Sequence, residues 1–235
     1  IKNSKFMKNI LVTGGAGFIG SHICTLLLQN NYKLTIVDSL INSSLGVIGK
    51  IKKLSLQTNK NSSNKLKFVR ADLRDYKSIR NIFEEAKENN CPFDGVIHLA
   101  GLKSASESVD LPLLYWDTNL IVSLNLLKIM DSYNCKTIIF SSSASIYGLS
   151  NKIPFNEENF VNPISPYGNT KSVIEKLLKD LYKSSESEWK IACLRYFNPI
   201  GAHPSGEIGE DANDKPNNIF PLLVKVAQEI GRAHV

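Results

Sequence analysis

Apolar and polar positions along the chain predict short strands and longer helices in regular alternation. Short apolar runs are typical of strands buried in a parallel sheet, whereas apolar positions three or four apart are typical of amphipathic helices. The predicted strands are 9–13, 33–38, 66–69, 94–99, 136–140 and 191–196. The main predicted helices lie within 21–30, 45–56, 78–90, 112–133 and 165–184, with another beginning after 218. This alternation predicts an α/β fold, a Rossmann-type doubly wound parallel sheet with right-handed crossovers.

Composition narrows the class of protein. The 235 residues are 43% hydrophobic, enough for one large core and a small second lobe. The net charge of +6 comes from scattered lysines, which predict a solvated basic surface that suits phosphate-bearing ligands rather than a nucleic-acid site. The four cysteines form no Cys-x-x-Cys pair and the four histidines show no metal-ligand spacing. We therefore expect a cytoplasmic protein with free thiols, no metal and no membrane partner.

A glycine-rich stretch, residues 14–20, separates the first predicted strand from the first helix. Glycines there allow a tight turn and a close approach of the backbone to a pyrophosphate, which the helix N-terminus attracts. Asp38 ends the second predicted strand, eighteen residues after Gly20. A carboxylate at this place can bind a ribose 2′-hydroxyl and repel a 2′-phosphate, so it favours NAD over NADP. Capping of the following segment is the alternative role of Asp38.

Tyr167 and Lys171 are four residues apart, so they share one face of a predicted helix. None of the other seven tyrosines has a lysine four residues on. A phenol needs roughly 4 kcal/mol of preferential phenolate stabilisation to move its pKa from about 10 to ~7. The ammonium of Lys171 supplies part of this, and a bound cationic nicotinamide would supply more. An ordinary helix surface is the alternative.

Polar residues also follow two other predicted strands. Serines 141–143 follow the fifth strand, where they can bind a ligand or form a turn. Asp72 follows the third strand, where it can contact an adenine or cap a helix.

Six motifs together resemble those of extended short-chain dehydrogenases/reductases and, more closely, the UDP-glucose 4-epimerase family. They are residues 13–22, 98–103, 140–144, 165–168, 194–199 and 201–206, which occur in the family's order over nearly the whole chain. The last two are specific to the epimerases. This chain differs from the family's pattern at Thr118-Asn119, where the family often has two asparagines.

The resemblance implies an NAD-dependent, reversible inversion at C4 of a UDP-hexose through a 4-keto sugar. It implies that Tyr167 is the catalytic base, that Ser143 shares the proton, and that Lys171 binds the nicotinamide ribose and lowers the tyrosine pKa. The implied NAD contacts are Gly14, Gly17, Phe18, Ile19, Gly20, Asp38, Ser39, Leu40, Ile41, Asn42, Ser43, Asp72, Leu73, Leu99, Ala100, Gly101, Lys103, Asn119, Ser141, Tyr167, Lys171 and Phe197. The implied substrate contacts are Lys103, Ser143, Tyr167, Asn198 and Asn218. A homodimer packed through residues 112–133 and 165–184 is implied as well.

Three other functions stay open at this point. A sugar-nucleotide 4,6-dehydratase would place an Asp-Glu pair after the serine strand, where this chain has Ser143-Ala144-Ser145-Ile146. A simple dehydrogenase would release reduced cofactor. A catalytically idle NAD-binding protein could lose the Tyr/Lys pair, which this chain keeps.

The resemblance also suggests a domain organisation. Residues 7–198 are expected to form the NAD-binding domain, and 199–228 the beginning of a substrate-binding lobe. Residues 229–235 resemble the translation of a sequencing adapter and are expected to be a non-native tail. The native reading is therefore expected to end near Gln228 in a truncated reading frame. The family's later nucleotide-binding arginines lie beyond the end of this chain, so we also expect it to lack a complete substrate site. The range of accepted UDP-sugars is open.

Overall fold

One six-stranded parallel sheet forms the centre of the protein. The computed structural model describes residues 7–59, 62–149, 153–184, 188–210 and 219–228. The strands lie in the order β3-β2-β1-β4-β5-β6, and every pair is parallel. They are β1 (Asn9–Thr13), β2 (Lys33–Asp38), β3 (Leu66–Arg70), β4 (Gly95–His98), β5 (Thr137–Ser143) and β6 (Lys190–Tyr196). The predicted doubly wound fold is confirmed.

Helices connect the strands and cover both faces of the sheet. They are α1 (Phe18–Gln29), α2 (Gly46–Thr58), α3 (Tyr76–Glu88), α4 (Ala105–Asp110), α5 (Pro112–Tyr115), α6 (Val122–Ser132), α7 (Pro166–Ser184) and α8 (Ile219–Gln228). Trp116–Ile121 is a π-helical segment between α5 and α6, and Ser63–Lys65 and Ala144–Ile146 are short 3₁₀ turns. Within the described ranges, no helix is long and apolar enough to cross a bilayer.

The core has one apolar layer on each side of the sheet. On one side, residues of β1 and β2 pack against Cys24 and Leu28 of α1 and Ile51 of α2. On the other, residues of β1 and β5 pack against α3, α6 and α7, including Leu126 and Ile174. Neighbouring residues of a strand point to opposite faces, so a strand buried on both faces is an unbroken apolar run. The apolar runs that predicted the strands arise in this way.

Three local features differ from the sequence prediction. The fifth strand continues through Ser143 because β6 pairs with it to the end, with Ser143 opposite Tyr196. The serines are therefore part of the sheet, not a loop after it. The helix predicted over 112–133 contains the π-helical segment, and α4 was not predicted because six residues are too few to show a helical period.

The strand order reverses between β1 and β4, the first of which leads to α1 and the second to α4. In an open parallel sheet, ligands bind at the carboxyl ends of the strands beside this switch point. Most of the predicted site residues end or follow β1, β2, β3, β4, β5 and β6 at that edge, and Tyr167 and Lys171 lie on α7.

Candidate active site

The glycine turn after β1 is shaped for a ligand as well as for packing. Gly14 has a φ of +68°, and a Cβ there would lie 2.7 Å from the nitrogen of Ala100. A Cβ on Gly20 would lie 2.3 Å from the carbonyl oxygen of Gly14. Gly17 differs, because its Cβ would meet only that carbonyl, at 3.4 Å. Packing therefore does not require a glycine at 17, whereas close approach of a pyrophosphate does.

The first helix begins without a partner for its positive end. α1 has no side-chain cap and no acidic residue in its first turn, which contains Phe18, Ile19 and Gly20. Its amides are thus available to a phosphate, so this part of the chain fits the diphosphate of NAD.

Asp38 lies at the end of β2 and is only 7% exposed. Its Oδ2 accepts a hydrogen bond from the Ala16 amide at 3.0 Å, and its Oδ1 accepts from the Leu40 amide at 2.9 Å and from Ser43 Oγ at 3.0 Å. The carboxylate therefore fastens the glycine turn to the segment that follows β2. Asp38 thus does hold its following segment, and the ribose contact is an additional role that stays a prediction.

Beside Asp38 is a cavity of about 480 Å³, lined by Ser39, Leu40, Ile41, Arg70, Ala71 and Asp72. Asp72 accepts hydrogen bonds from Arg74, whose guanidinium lowers the pKa of the carboxyl. The side chain of Leu73 is buried in the core, so only its backbone could approach an adenine. Arg70 and Arg74 were not among the predicted site residues, because neither belongs to a recognisable motif.

Tyr167, Lys171 and Ser143 converge where α7 crosses the end of β5, and each is at most 9% exposed. The Nζ atom of Lys171 donates to the Ser141 carbonyl at 2.8 Å. It also lies 4.9 Å from the centre of the Phe140 ring and 5.8 Å from the centre of the Tyr167 ring. The structure therefore brings the three predicted catalytic residues together.

Burial controls the electrostatics of this group in the protein without a ligand. Burial raises the pKa of Tyr167 above its ordinary value, and a hydrogen bond with Ser143 opposes the rise. Burial also lowers the pKa of Lys171 to about 8. The predicted acidification of Tyr167 by Lys171 does not appear in the protein alone, because desolvation of the phenol dominates. Lys171 has no carboxylate partner among the described residues.

A buried hydrogen-bonded chain under the site was not predicted. Ser123 Oγ donates to the carbonyl of Asn119, so it accepts from His98 Nε2 at 3.0 Å. His98 Nδ1 then accepts from Thr13 Oγ1 at 2.7 Å. Burial, and secondarily the charge of Lys171, lower the pKa of His98 to about 3, so this imidazole is neutral. The available signal in the sequence was a single polar residue at the end of each of the apolar runs of β1 and β4.

Asn119 was predicted to contact the nicotinamide side of NAD, but its amide is already used. Its Oδ1 accepts from the Leu102 amide at 2.8 Å. Its Nδ2 donates to the Leu102 carbonyl at 3.2 Å and to Thr170 Oγ1 at 3.1 Å. Both amide hydrogens are therefore occupied in tying the segment after β4 to α7, and no donor is left for a cofactor.

The remaining predicted contacts are more dispersed. Leu99 and Ala100 pack partly into the core, and Gly101 lies close to Asn119. Lys103 is exposed, and its Nζ atom lies 3.5 Å from Oε1 of Glu210. Phe197 is 62% exposed and stacks on Phe155, with ring centres 6.2 Å apart. Ile41, Asn42 and Asn198 are exposed. Asn218 lies outside the described residues, as does the predicted tail 229–235.

The model of the family described as GDP-mannose 4,6 dehydratase matches residues 11–229. The chain belongs to this family. Its relatives include the UDP-glucose 4-epimerase 2 of Arabidopsis thaliana, 47% identical over 96% of this chain, and the UDP-glucose 4-epimerase of Bacillus subtilis, 44% identical over 93%. This member of the GDP-mannose 4,6 dehydratase family also matches the crystal structure of the Bifidobacterium longum UDP-glucose 4-epimerase in complex with NAD⁺ and UDP, with a TM-score of 0.85 and 40% identity over 94% of the chain.

The match covers nearly all of this chain but only part of each of the other proteins. The chain spans 61% of the Arabidopsis protein, 60% of the Bacillus protein and 62% of the Bifidobacterium chain. The glycine turn, the serine strand and the Tyr/Lys helix of this chain all lie within the matched residues 11–229.

Proposed function

We propose that this chain provides the cofactor site and the acid–base group of a UDP-glucose 4-epimerase. The reaction is the reversible conversion of UDP-glucose to UDP-galactose through a 4-keto sugar, in the galactose metabolism of the cytoplasm. The observation that carries the proposal is the buried convergence of Tyr167, Lys171 and Ser143 beside the glycine turn and Asp38. The shared sequence with epimerases of bacteria and plants supports it.

Each of these residues has a definite task in this proposal. NAD, when bound, supplies a hydride acceptor and donor at the nicotinamide ring. Tyr167 as phenolate removes the proton of the sugar 4-hydroxyl and later returns it. Ser143 Oγ donates to Ser145 Oγ at 3.0 Å in the described structure. In the proposed reaction its proton turns to the phenolate oxygen of Tyr167 and stabilises it, in line with its effect on the Tyr167 pKa. Lys171, which has one carbonyl partner, has two N–H groups left for the hydroxyls of a ribose.

The name of the family refers to a different reaction, a 4,6-dehydration. That reaction needs an acid and a base at the turn after β5 to eliminate water. Here the turn is Ala144–Ile146, and Ser145 offers a hydroxyl that Ser143 Oγ contacts at 3.0 Å. A turn without a carboxylate favours epimerisation over dehydration.

A homodimer is part of the same proposal. Apolar side chains are exposed on the elements expected to pair: Leu113 of α5 is 83% exposed, Ile121 of the π-helical segment 37% and Val173 of α7 39%. Burying such a patch against a second copy would remove it from water. Sedimentation of the protein at several concentrations tests this, and a strictly monomeric protein contradicts it.

The activity is tested by incubating the protein with NAD and UDP-galactose and separating the nucleotide sugars by chromatography. The assay is run on this chain and on any longer reading frame that resequencing of its source transcript yields. The proposal predicts UDP-glucose with no net rise in absorbance at 340 nm. A stoichiometric rise would indicate a simple dehydrogenase, and loss of water from the sugar would indicate a dehydratase. NAD binding without turnover in both proteins would indicate the idle alternative.

A further inference from the structure

The short helix α4 contacts the first turn of the catalytic helix through one buried hydroxyl. Ser108 is 0% exposed, and its Oγ accepts the backbone N–H of Tyr167 at 3.1 Å. The same hydroxyl donates its proton to the Ala105 carbonyl at 2.6 Å. Because the proton is committed to α4, the lone pairs of Ser108 are directed at α7.

This bond is unlike the others at the start of α7. Pro166, the first residue of the helix, has no N–H. The Gly168 amide donates to Ser165 Oγ at 3.1 Å, and the Asn169 amide donates to the Ser165 carbonyl at 2.9 Å. Both bonds are local to α7. Of the amides at 167–169, that of Tyr167 alone joins the helix to a different element, 59 residues away in sequence.

Hydrogen bonds also hold helix α4, which carries Ser108, in place. Ser104 Oγ caps α4 by accepting from the Glu107 amide at 3.2 Å. The Tyr115 hydroxyl accepts from the Ser104 amide at 3.1 Å and donates to Glu107 Oε2 at 2.5 Å. The ring of Tyr115 is fully buried and meets the ring of Tyr167 edge-on, with centres 6.4 Å apart. Tyr167 is thus held by its backbone and by its ring.

Resting on the proposed function, we propose that Ser108 is a positioning residue, which keeps the Tyr167 phenol within reach of Ser143 by fixing the backbone of Tyr167. A movement of the first turn of α7 would separate the phenol from Ser143. The hydrogen bond with Ser143 opposes the effect of burial on the Tyr167 pKa, so its loss would make the phenol a weaker acid. In the described structure, the titratable groups that lie against the Tyr167 ring are Lys171 of α7 and Tyr115 of α5, and the Tyr115 hydroxyl donates to Glu107 of α4.

Ser108→Ala tests this without substrate or cofactor. The phenolate absorbance of each variant near 295 nm is titrated, and that of the same variant carrying Tyr167→Phe is subtracted, which isolates Tyr167. In Ser108→Ala we expect about three- to tenfold less phenolate at a fixed pH below the midpoint, the effect of losing one hydrogen bond. The control is Ser55→Ala, because Ser55 is also 0% exposed and bonds within its own helix α2.

Thermal unfolding is measured on the same samples. Equal losses of stability in Ser108→Ala and Ser55→Ala, with the Tyr167 titration unchanged in both, would overturn the proposal, because Ser108 would then be only structural. If Ser108→Ala does not fold, Tyr115→Phe replaces it and should give a smaller shift in the same direction, with no shift as the refuting result. Since the titration uses no sugar, failure of the epimerase assay does not affect it.

Discussion

Two buried side chains at the same sheet edge, Asp38 and Lys171, differ in how many hydrogen bonds the protein gives them. Asp38, on the adenosine side, accepts three hydrogen bonds from the protein. Lys171, on the nicotinamide side, donates to one carbonyl and otherwise lies over aromatic rings. A buried charge is tolerated at low cost only when its hydrogen-bonding capacity is filled. On the predicted adenosine side, protein donors therefore hold the carboxylate before a ligand binds and leave it one further acceptor position. On the predicted nicotinamide side, Lys171 gains its missing partners from the ligand.

The largest effect should come from removing the base on the nicotinamide side alone. Tyr167→Phe should lower epimerase turnover by about 10²- to 10⁴-fold, the usual contribution of a positioned proton-transfer group. NAD binding, measured by calorimetry, should change little, because the adenosine side is intact. Turnover equal to that of the unmodified protein would remove Tyr167 from the mechanism.

Asp38→Ala should weaken cofactor binding at the predicted adenosine side and destabilise the fold. We expect NAD to bind roughly 10- to 100-fold more weakly, because a charged hydrogen-bond acceptor is lost. We also expect the ratio of the affinity for NAD to that for NADP to fall, because the carboxylate no longer repels a 2′-phosphate. Three donors also lose their partner, so the free energy of unfolding should fall by about 2–4 kcal/mol. Asp131→Ala, at an exposed carboxylate beside Lys136, is the matched control. An unchanged cofactor preference would exclude Asp38 from the ribose site.

Lys171→Met should have the opposite effect on stability. The pKa of Lys171 falls to about 8 in the folded protein, so keeping the amine protonated there costs up to about 3 kcal/mol. This cost is full below pH 8 and disappears as the pH rises toward the unfolded value near 10.5. In urea titrations the variant should be the more stable protein at pH 7, by less than this limit, and lose that advantage above pH 10. A less stable variant at pH 7 would mean that Lys171 is already satisfied.

The smallest effect concerns His98, beneath the nicotinamide side. Its folded pKa of about 3 is depressed, so the folded protein holds the neutral form. The associated stability is complete above about pH 6.5 and declines by roughly 1.4 kcal/mol per pH unit below it. His98→Gln, an uncharged hydrogen-bonding replacement, should reduce the loss of unfolding free energy between pH 7 and pH 5.5. An identical pH dependence in both proteins would show that another group governs acid unfolding.

Sequence reasoning located the fold and the convergent residues, for physical reasons. Strands buried on both faces are apolar runs, and a tight strand–helix turn contains glycine. Both features can therefore be recognised in the amino-acid sequence. Asp38 and the Tyr167–Lys171 pair were found because their spacing depends on local geometry. The end of β5 was misplaced because its pairing with β6 is decided in space.

Long-range hydrogen bonds were beyond the same reasoning. Asn119 forms hydrogen bonds with Leu102 and Thr170, which lie 17 and 51 residues away, and its contact with the cofactor stays a prediction. Ser108 and Ser123 resemble ordinary helix serines until the tertiary structure places them under the site. The rise in the Tyr167 pKa that burial causes in the protein without a ligand was not foreseen either, because burial of the phenol can be judged only in the folded chain.

The most direct test is the titration of the Tyr167 phenol, obtained by subtracting the Tyr167→Phe variant, in the free protein and with saturating NAD⁺ or NADH. The free protein should titrate above the ordinary tyrosine value of about 10. NAD⁺, whose nicotinamide is cationic, should move the titration to lower pH, and NADH, whose ring is neutral, should move it much less. The same curve in all three samples would contradict the claim that the ligand completes the nicotinamide side.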